Sequence, residues 1–523
     1  MKRWSQRLAC FAAGLAVVFV VVVLAERLRG KWALNARLKT LALNGETLSL
    51  AKLKPRRPTS DQNAFTELLK LTNQLEVTVS IRDVAPPSLR LSSPGRAVVA
   101  AKLDAWSDDG KTTNDWQRLG LGLEQARETL ARLESAVRKP AYDSGVDYEK
   151  GFVDFHLAPI WEVRQAYQLL SCSVLYALKQ GNLGGAHDGL TALVTLTAKQ
   201  TPEPLVICQL IRQACAALAF NTTWQALQAD GWSDGQLASL QAAWQPCDFV
   251  TDMAFAMEME RAMTLDFYTQ IEDSKKKLDF VIGSYQEVQE MTDGAFGTLP
   301  ARGIIPSWLH LPVWRVAWLA QDELASLEQW QFMIERERLA RTNGWAALTG
   351  VKDQPKPHRR LSFQSAEKLG WYDRLRFLFA FENNFSITDS VIRRTLEAQT
   401  QQQMALTVLG IQRYRLQTGR LPTQLSELVP ECLTVLPHDF MDGKALRYRL
   451  RPGDDGFLLY SVGEDGKDDG GDPAWQGEKK NYRRIWDGRD AVWPSAATAQ
   501  EAELAVGATK PDGSRRPAAN PRP

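Results

Sequence analysis

The pattern of apolar and polar residues changes character several times along the chain. Lys2, Arg3 and Arg7 precede an uncharged apolar run from Leu8 to Ala25. As a helix this run reaches about 27 Å, close to a hydrocarbon core of ~30 Å. A cleaved signal peptide has a shorter apolar region followed by a small-x-small site. Here the run ends in Glu26-Arg27-Leu28-Arg29, so the pattern predicts an uncleaved transmembrane signal anchor over residues 1–30. Arg27, Arg29 and Lys31 balance the basic residues before the run, which leaves the positive-inside rule a weak preference for a cytoplasmic N-terminus. No later segment matches this length of uncharged apolar residues, so a single span is expected. Cys10 stands at the start of the run and not after it, unlike a lipoprotein box.

Residues 31–110 read as a linker and mixed segment. Lys52, Lys54, Arg56 and Arg57 surround two prolines, and a helix is expected from Thr59-Ser60 through Phe65, Leu68 and Leu71. Val77, Val79 and Ile81 alternate like a strand until Pro86-Pro87 breaks the pattern. Residues 111–385 read as a helical domain. Its elements are Trp161 to Gln180 ending at Gly181, Ala186 to Lys199, Leu205 to Gln228, and a helix opened by the capping-box pair Ser233 and Gln236. Phe255, Met259, Met263 and Phe267 continue a stripe at helical spacing, which reads as core. A break from Gly294 to Pro312 precedes a helix from Trp314 to Leu339. A loop from Asn343 to Arg360 and a helical piece from Ser362 to Phe379 follow. Residues 386–494 form a different module: a long helix from Asp389 to Leu416 stopped by Gly419, then a short helix at Leu425 to Leu428. Strands at Leu446 to Leu450 and Phe457 to Val462 complete it. Residues 495–523 have few large apolar side chains and read as a disordered tail. The fold class is therefore mainly α: one transmembrane helix, a large helical-hairpin domain and a small α+β module with a short antiparallel sheet.

Composition narrows the function. Lys plus Arg is 63 and Asp plus Glu is 61, so no bulk positive field points to nucleic acid. Cys10 lies in the span. Cys208 and Cys215, two turns apart on one helix, are about 10 Å apart and too distant for a disulfide. Cys172 pairing with either of them stays open, beside the reading of all five as small buried side chains. The histidines His156, His187, His310, His358 and His438 show no metal spacing. Gly120-Leu121-Gly122 lacks the third glycine of a dinucleotide fingerprint, and no hydrolase or Walker motif is present. Glu258 and Arg261 read as an i,i+3 surface pair, with Glu260 beside them.

The order of motifs in the C-terminal module carries a resemblance. Tyr414 is followed by Thr418-Gly419-Arg420-Leu421-Pro422-Thr423. Leu436-Pro437-His438-Asp439 and Gly443 to Tyr448 come next, and Gly456 to Gly466 reads Gly-Phe-Leu-Leu-Tyr-Ser-Val-Gly-Glu-Asp-Gly. This stretch resembles the globular part of the major pseudopilin of type II secretion. The whole layout resembles large membrane-anchored proteins of Planctomycetes and Verrucomicrobia, which implies a compartment and an architecture. A pseudopilin has a prepilin-peptidase site before its apolar helix, and that helix feeds straight into the globular module. Here Arg7-Leu8 precedes the run and the helical domain intervenes, so processing and polymerisation are not expected.

Ser461 to Asp472 holds five carboxylates interleaved with glycines, a donor set suited to a hard cation such as Ca²⁺ or to a solvated turn. The resemblance implies calcium. Carried over by position, its ligands are the Val462 carbonyl and the side chains of Asp465 and Asp472, with Asp468 and Asp469 as extras and Pro473 as a departure. Such an ion would be structural. The expected function is a non-enzymatic scaffold or adaptor anchored in the cytoplasmic membrane, its bulk extracytoplasmic, touching an envelope or secretion-machinery protein. The alternatives are an envelope enzyme with a cleft in the helical domain and a divergent component of a type II secretion or pilus system.

Overall fold

The computed structural model describes residues 2–55, 57–59, 61–75, 84–107, 113–150, 162–199, 203–291, 306–349, 370–380, 385–453, 456–475 and 484–506. The architecture is mainly helical, with a few short sheets. Val77, Val79, Ile81, His156 and His358 lie outside the described residues.

Helix α1 (Lys2–Leu43) contains the apolar run and is long and apolar enough to cross a membrane. The helix does not stop at the run but continues through residues 31–43, where the sequence reads as linker. The reason is tertiary. Leu34, Leu38 and Leu41 repeat at helical spacing and close over Ala320, Leu324 and Leu327. These belong to the later helix Leu319–Asn343. Gly30 makes this approach possible, because a Cβ there would stand 2.8 Å from Cγ of Gln321. Arg37 pairs with Glu328 at 2.8 Å, so the two helices run side by side in the same direction.

The chain then forms α2 (Leu50–Leu53), α3 (Ala64–Leu75), α4 (Trp116–Gln125) and α5 (Arg127–Val137). Gly120-Leu121-Gly122 lies inside α4 and so forms no phosphate loop. Between α3 and α4 come the short strands β1 (Leu91–Ser93), β2 (Arg96–Ala97), β3 (Ala105–Trp106) and β4 (Asn114–Asp115). The helical hairpins follow close to their predicted bounds: α6 (Val163–Lys179), α7 (Leu183–Lys199), α8 (Val206–Ala226) and α9 (Asp234–Trp244). The Ser233–Gln236 capping box is present. Buried Gln225 on α8 takes the Ala100 amide at 2.9 Å and donates to the carbonyls of Ser88 and Val98, which fastens the mixed segment to the hairpins.

The methionine-rich stripe is α10 (Phe249–Asp273), followed by α11 (Lys275–Met291). The predicted helix from Trp314 is two helices, α12 (Ser307–Ala317) and α13 (Leu319–Asn343), with a turn at Trp318. The turn lets Trp314 and Leu319 pack beside Tyr268, Ile271, Leu278 and Ile282 in a satellite core. After α14 (Ala346–Thr349) and α15 (Trp371–Arg376) comes α16 (Phe385–Thr418). Its buried Gln399 and Gln402 help to knit it to the hairpins. Gln399 accepts from the Phe249 amide at 2.7 Å, Gln402 donates to the Trp244 carbonyl, and Gln213 on α8 donates to Thr395.

The module adds β5 (His438–Asp439), β6 (Lys444–Ala445), β7 (Arg447–Leu450), β8 (Phe457–Ser461), β9 (Ala491–Val492) and β10 (Ser495–Ala496). Strands β7, β8 and β9 form an antiparallel sheet in which Arg447 faces Tyr460 and Leu450 faces Phe457. β10 pairs in parallel with β2, far back in the chain. The first part of the expected tail is therefore ordered. Ser495 registers on Arg96, Thr498 opens α17 (Ala499–Val506), and Glu501 pairs with Arg96 at 3.1 Å. One hydrophobic core runs from Leu53 through the hairpins to Leu459 and Val506. The five cysteines beyond α1 are buried thiols, and burial pushes Cys172, Cys215 and Cys247 up to about 12.

Candidate functional site

The acidic loop from Ser461 to Asp472 follows β8 directly, and two carboxylates outside it hold its ends. Asp439 on β5 is fully buried. It accepts from the Ser461 hydroxyl at 2.8 Å, the Val462 amide at 3.1 Å and the Met441 amide at 3.0 Å. Asp490, just before β9, accepts from the amides of Gly471 at 2.7 Å and Asp472 at 3.1 Å. Burial pushes both carboxyls up to about 6, against these hydrogen bonds.

Guanidinium groups neutralise much of the remaining charge. Arg447 on β7 reaches Asp439 at 3.0 Å and Asp468 at 3.5 Å, and also pairs with Asp442. Arg489 pairs with Asp472 at 3.3 Å. Glu464 pairs with Arg393 of α16 and stands 3.8 Å from Arg484.

The three residues carried over as calcium ligands thus have defined places. Val462 is buried with its amide on Asp439, Asp465 accepts from the Lys467 amide at 3.0 Å, and Asp472 faces Arg489. In kind these oxygens suit a hard cation, and the loop between them is exposed enough to admit water. Asp468 turns to Arg447 and Tyr460. Among the described residues no three His, Cys, Asp or Glu side chains gather into a metal cluster.

Beside the loop lies an open cleft of about 260 Å³ between α8, α16 and the turn at Ile485–Asp487. Gln213, Asn221, Arg394, Glu397, Arg484 and Trp486 line it. Glu397 is nearly buried and paired with Arg484 at 3.3 Å and Arg393 at 3.4 Å. Burial pushes its carboxyl up against the pull of those two guanidiniums. Oε1 of Gln213 and Nε1 of Trp486 are buried without a hydrogen-bond partner among the described residues. Among the described residues the cleft offers both signs of charge and no nucleophile beside a base.

Sequence reasoning reached the loop but missed the groups that organise it. Asp490 lies in no motif, nothing marks out Arg447 inside the Gly443 to Tyr448 stretch, and the role of both depends on strand pairing. Glu258 and Arg261 are not the surface pair that their spacing suggests. Arg261 is fully buried and turns to Glu46 and Gln331, while Glu258 pairs with Arg338 at 2.7 Å. Glu260 accepts from the Val206 amide at the start of α8, and burial pushes it up to about 7. Comparison of the chain with known protein families, curated proteins and solved structures finds no match.

Proposed function

We propose that the chain is a membrane-anchored scaffold or adaptor whose bulk stands on the extracytoplasmic side. It presents a pseudopilin-like module stabilised by calcium to an envelope or secretion-machinery protein. The observation that carries this reading is the course of α13. At its start α13 packs on α1 just past the apolar run, where Gly30 meets Gln321. At its end Gly344 and Gly443 meet backbone to backbone, and the Trp345 amide donates to the Phe440 carbonyl at 3.0 Å. A Cβ on Gly344 would stand 2.5 Å from the Gly443 nitrogen, and both glycines have positive φ. Twenty-five residues of helix, about 37 Å, thus form a strut from anchor to module. A strut of this kind suits display at a fixed height.

Calcium would be held by the Val462 carbonyl, Asp465 and Asp472, and would supply charge neutralisation that Arg489 now gives Asp472. The enzyme alternative calls for a buried, unpaired carboxylate in a cleft. Glu397 lines the cleft but is paired, and Glu337, whose oxygens have no hydrogen-bond partner among the described residues, does not line it.

The test has two arms on the full chain in its native membrane. A membrane-impermeant maleimide should label a cysteine placed at the exposed Leu121 in intact cells, and labelling only after permeabilisation would place the bulk in the cytoplasm. A photo-crosslinker at the exposed Val435 of the module should give one discrete adduct with an envelope protein. A ladder of unrelated adducts, or none, would remove the adaptor reading.

A further inference from the structure

Helix α12 is apolar on both faces. His310, Trp314 and Ala317 are buried; His310 Nε2 donates to the Leu375 carbonyl at 2.7 Å and Trp314 Nε1 to the Arg376 carbonyl at 3.1 Å. The opposite face carries Trp308, Pro312 and Val316 one turn apart, with Leu309 beside them. Trp308 is 76% exposed and Leu309 47% exposed. The helix has no charged residue before Arg315, and Arg315 turns inward to the Glu272 carbonyl. A helix that is apolar all round is buried in protein or lies in lipid. At 11 residues α12 is too short to span a bilayer.

Its position supplies the occupant. α12 packs directly on α1, and Val23, in the last turn of the apolar run, is partly covered while the residues before it are exposed. α15 stands at the same level: Tyr372 hydrogen-bonds Glu26, the first charged residue after the run, and the neighbouring Trp371 is 71% exposed. Glu272, at the end of α10, takes Lys31 at 2.8 Å and Arg27 at 3.6 Å. This brings the exposed Lys275 and Lys276 to the same end of the molecule. On α1 itself the exposed tryptophans Trp4 and Trp32 are about 42 Å apart along the helix, close to a full bilayer of ~40–45 Å with its headgroups. Tryptophan at both borders is the usual mark of the membrane interface.

We infer that α12 and α15 form a second membrane contact, lying in the headgroup zone beside α1 with Trp308, Leu309, Val316 and Trp371 in the lipid and Lys275 and Lys276 facing anionic headgroups. This rests on the reading of α1 as a membrane anchor. The contact turns a single-helix tether, free to tilt and swivel, into a platform that fixes the orientation of the strut.

The experiment uses the full chain with Cys10→Ser, reconstituted in vesicles of phosphatidylcholine and phosphatidylglycerol with brominated acyl chains. A bimane label is placed in turn by Phe19→Cys, Trp308→Cys, Trp371→Cys and Val435→Cys. The labels at 308 and 371 should lose at least half as much fluorescence as the label at 19, and the label at 435 should lose none. Quenching at 19 with none at 308 and 371 overturns the second contact and leaves the anchor standing. No quenching at 19 overturns both. Excimer emission between pyrene labels at 308, without lipid quenching, would assign the face to a second copy of the chain and also overturn the proposal.

Discussion

Arg261 of α10 and Glu46, three residues past the end of α1, form an ion pair of 2.9 Å with side-chain exposures of 0% and 7%. Arg338 of α13 donates to the same carboxylate, and the Thr47 carbonyl accepts from Arg261 at 3.1 Å. The connection that leaves α1 is thereby locked between α10 and α13. A buried pair of this kind contributes little over an apolar substitute, but removing one partner strands the other charge.

Glu46→Gln should therefore destabilise the domain by about 3 kcal/mol, read by chemical denaturation in detergent. Burial raises the Glu46 carboxyl, but hydrogen bonds from Arg338 and Arg261 outweigh it and hold the group at about 2, below its ordinary 4.5. The folded value is depressed, so this stabilisation is present above pH 4.5 and is lost as pH falls towards about 2. The difference between wild type and Glu46→Gln should shrink over that window. A difference independent of pH would separate the effect from the charge.

Glu337 gives the opposite sign. It is buried with both carboxylate oxygens unpartnered among the described residues, and burial pushes it up to about 7 despite Arg341 and Arg338. The fold holds the proton where the unfolded chain has lost it, so this group costs stability as pH rises from about 4.5 to about 7. Glu337→Gln should raise stability at pH 8 by on the order of 2 kcal/mol and change nothing at pH 4. Thermal melts of both proteins across pH check this.

Calcium should raise the melting temperature of the full chain, since a ligand at about 100 times its dissociation constant stabilises by ~2.7 kcal/mol. Asp465→Ala and Asp472→Ala should abolish the rise. Arg489→Gln should strengthen calcium binding, because Arg489 competes for Asp472. Titration calorimetry with calcium chloride distinguishes the three variants. No heat and no shift in the wild-type protein would reduce the loop to an internally neutralised turn.

Gly30→Leu should separate α1 from α13 without unfolding the hairpins. Its Cβ alone would stand 2.8 Å from Cγ of Gln321, well inside contact distance, so α1 must shift or the packing of Leu34 and Leu41 must open. Hydrogen exchange of residues 31–43 should rise several-fold, while exchange in α6 to α9 stays unchanged. Protection of residues 31–43 equal to wild type would show that the helix holds without its partner.

Local pattern determined what depends on neighbours in the chain: the apolar run, the hairpin helices, the capping box at Ser233, the stop of the long helix at Gly419, and the strand pair β7–β8. Periodicity and turn chemistry act within a few residues, so one sequence suffices to read them. What depended on distant partners was decided only by the tertiary structure. Residues 31–43 are helical because Leu34, Leu38 and Leu41 find α13, nearly three hundred residues away. Arg261 is buried because Glu46 meets it there, and Ser495 begins a strand because Arg96 lies beside it. The acidic loop was legible as a run of carboxylates. Its internal neutralisation by Arg447 and Arg489 and the hold of Asp490 on its backbone follow from the register of the β7–β8–β9 sheet, and Asp439 reaches it from β5, which pairs with β6 outside that sheet. Charge and burial are properties of the assembled surroundings, so spacing along the chain can nominate such groups but cannot pair them.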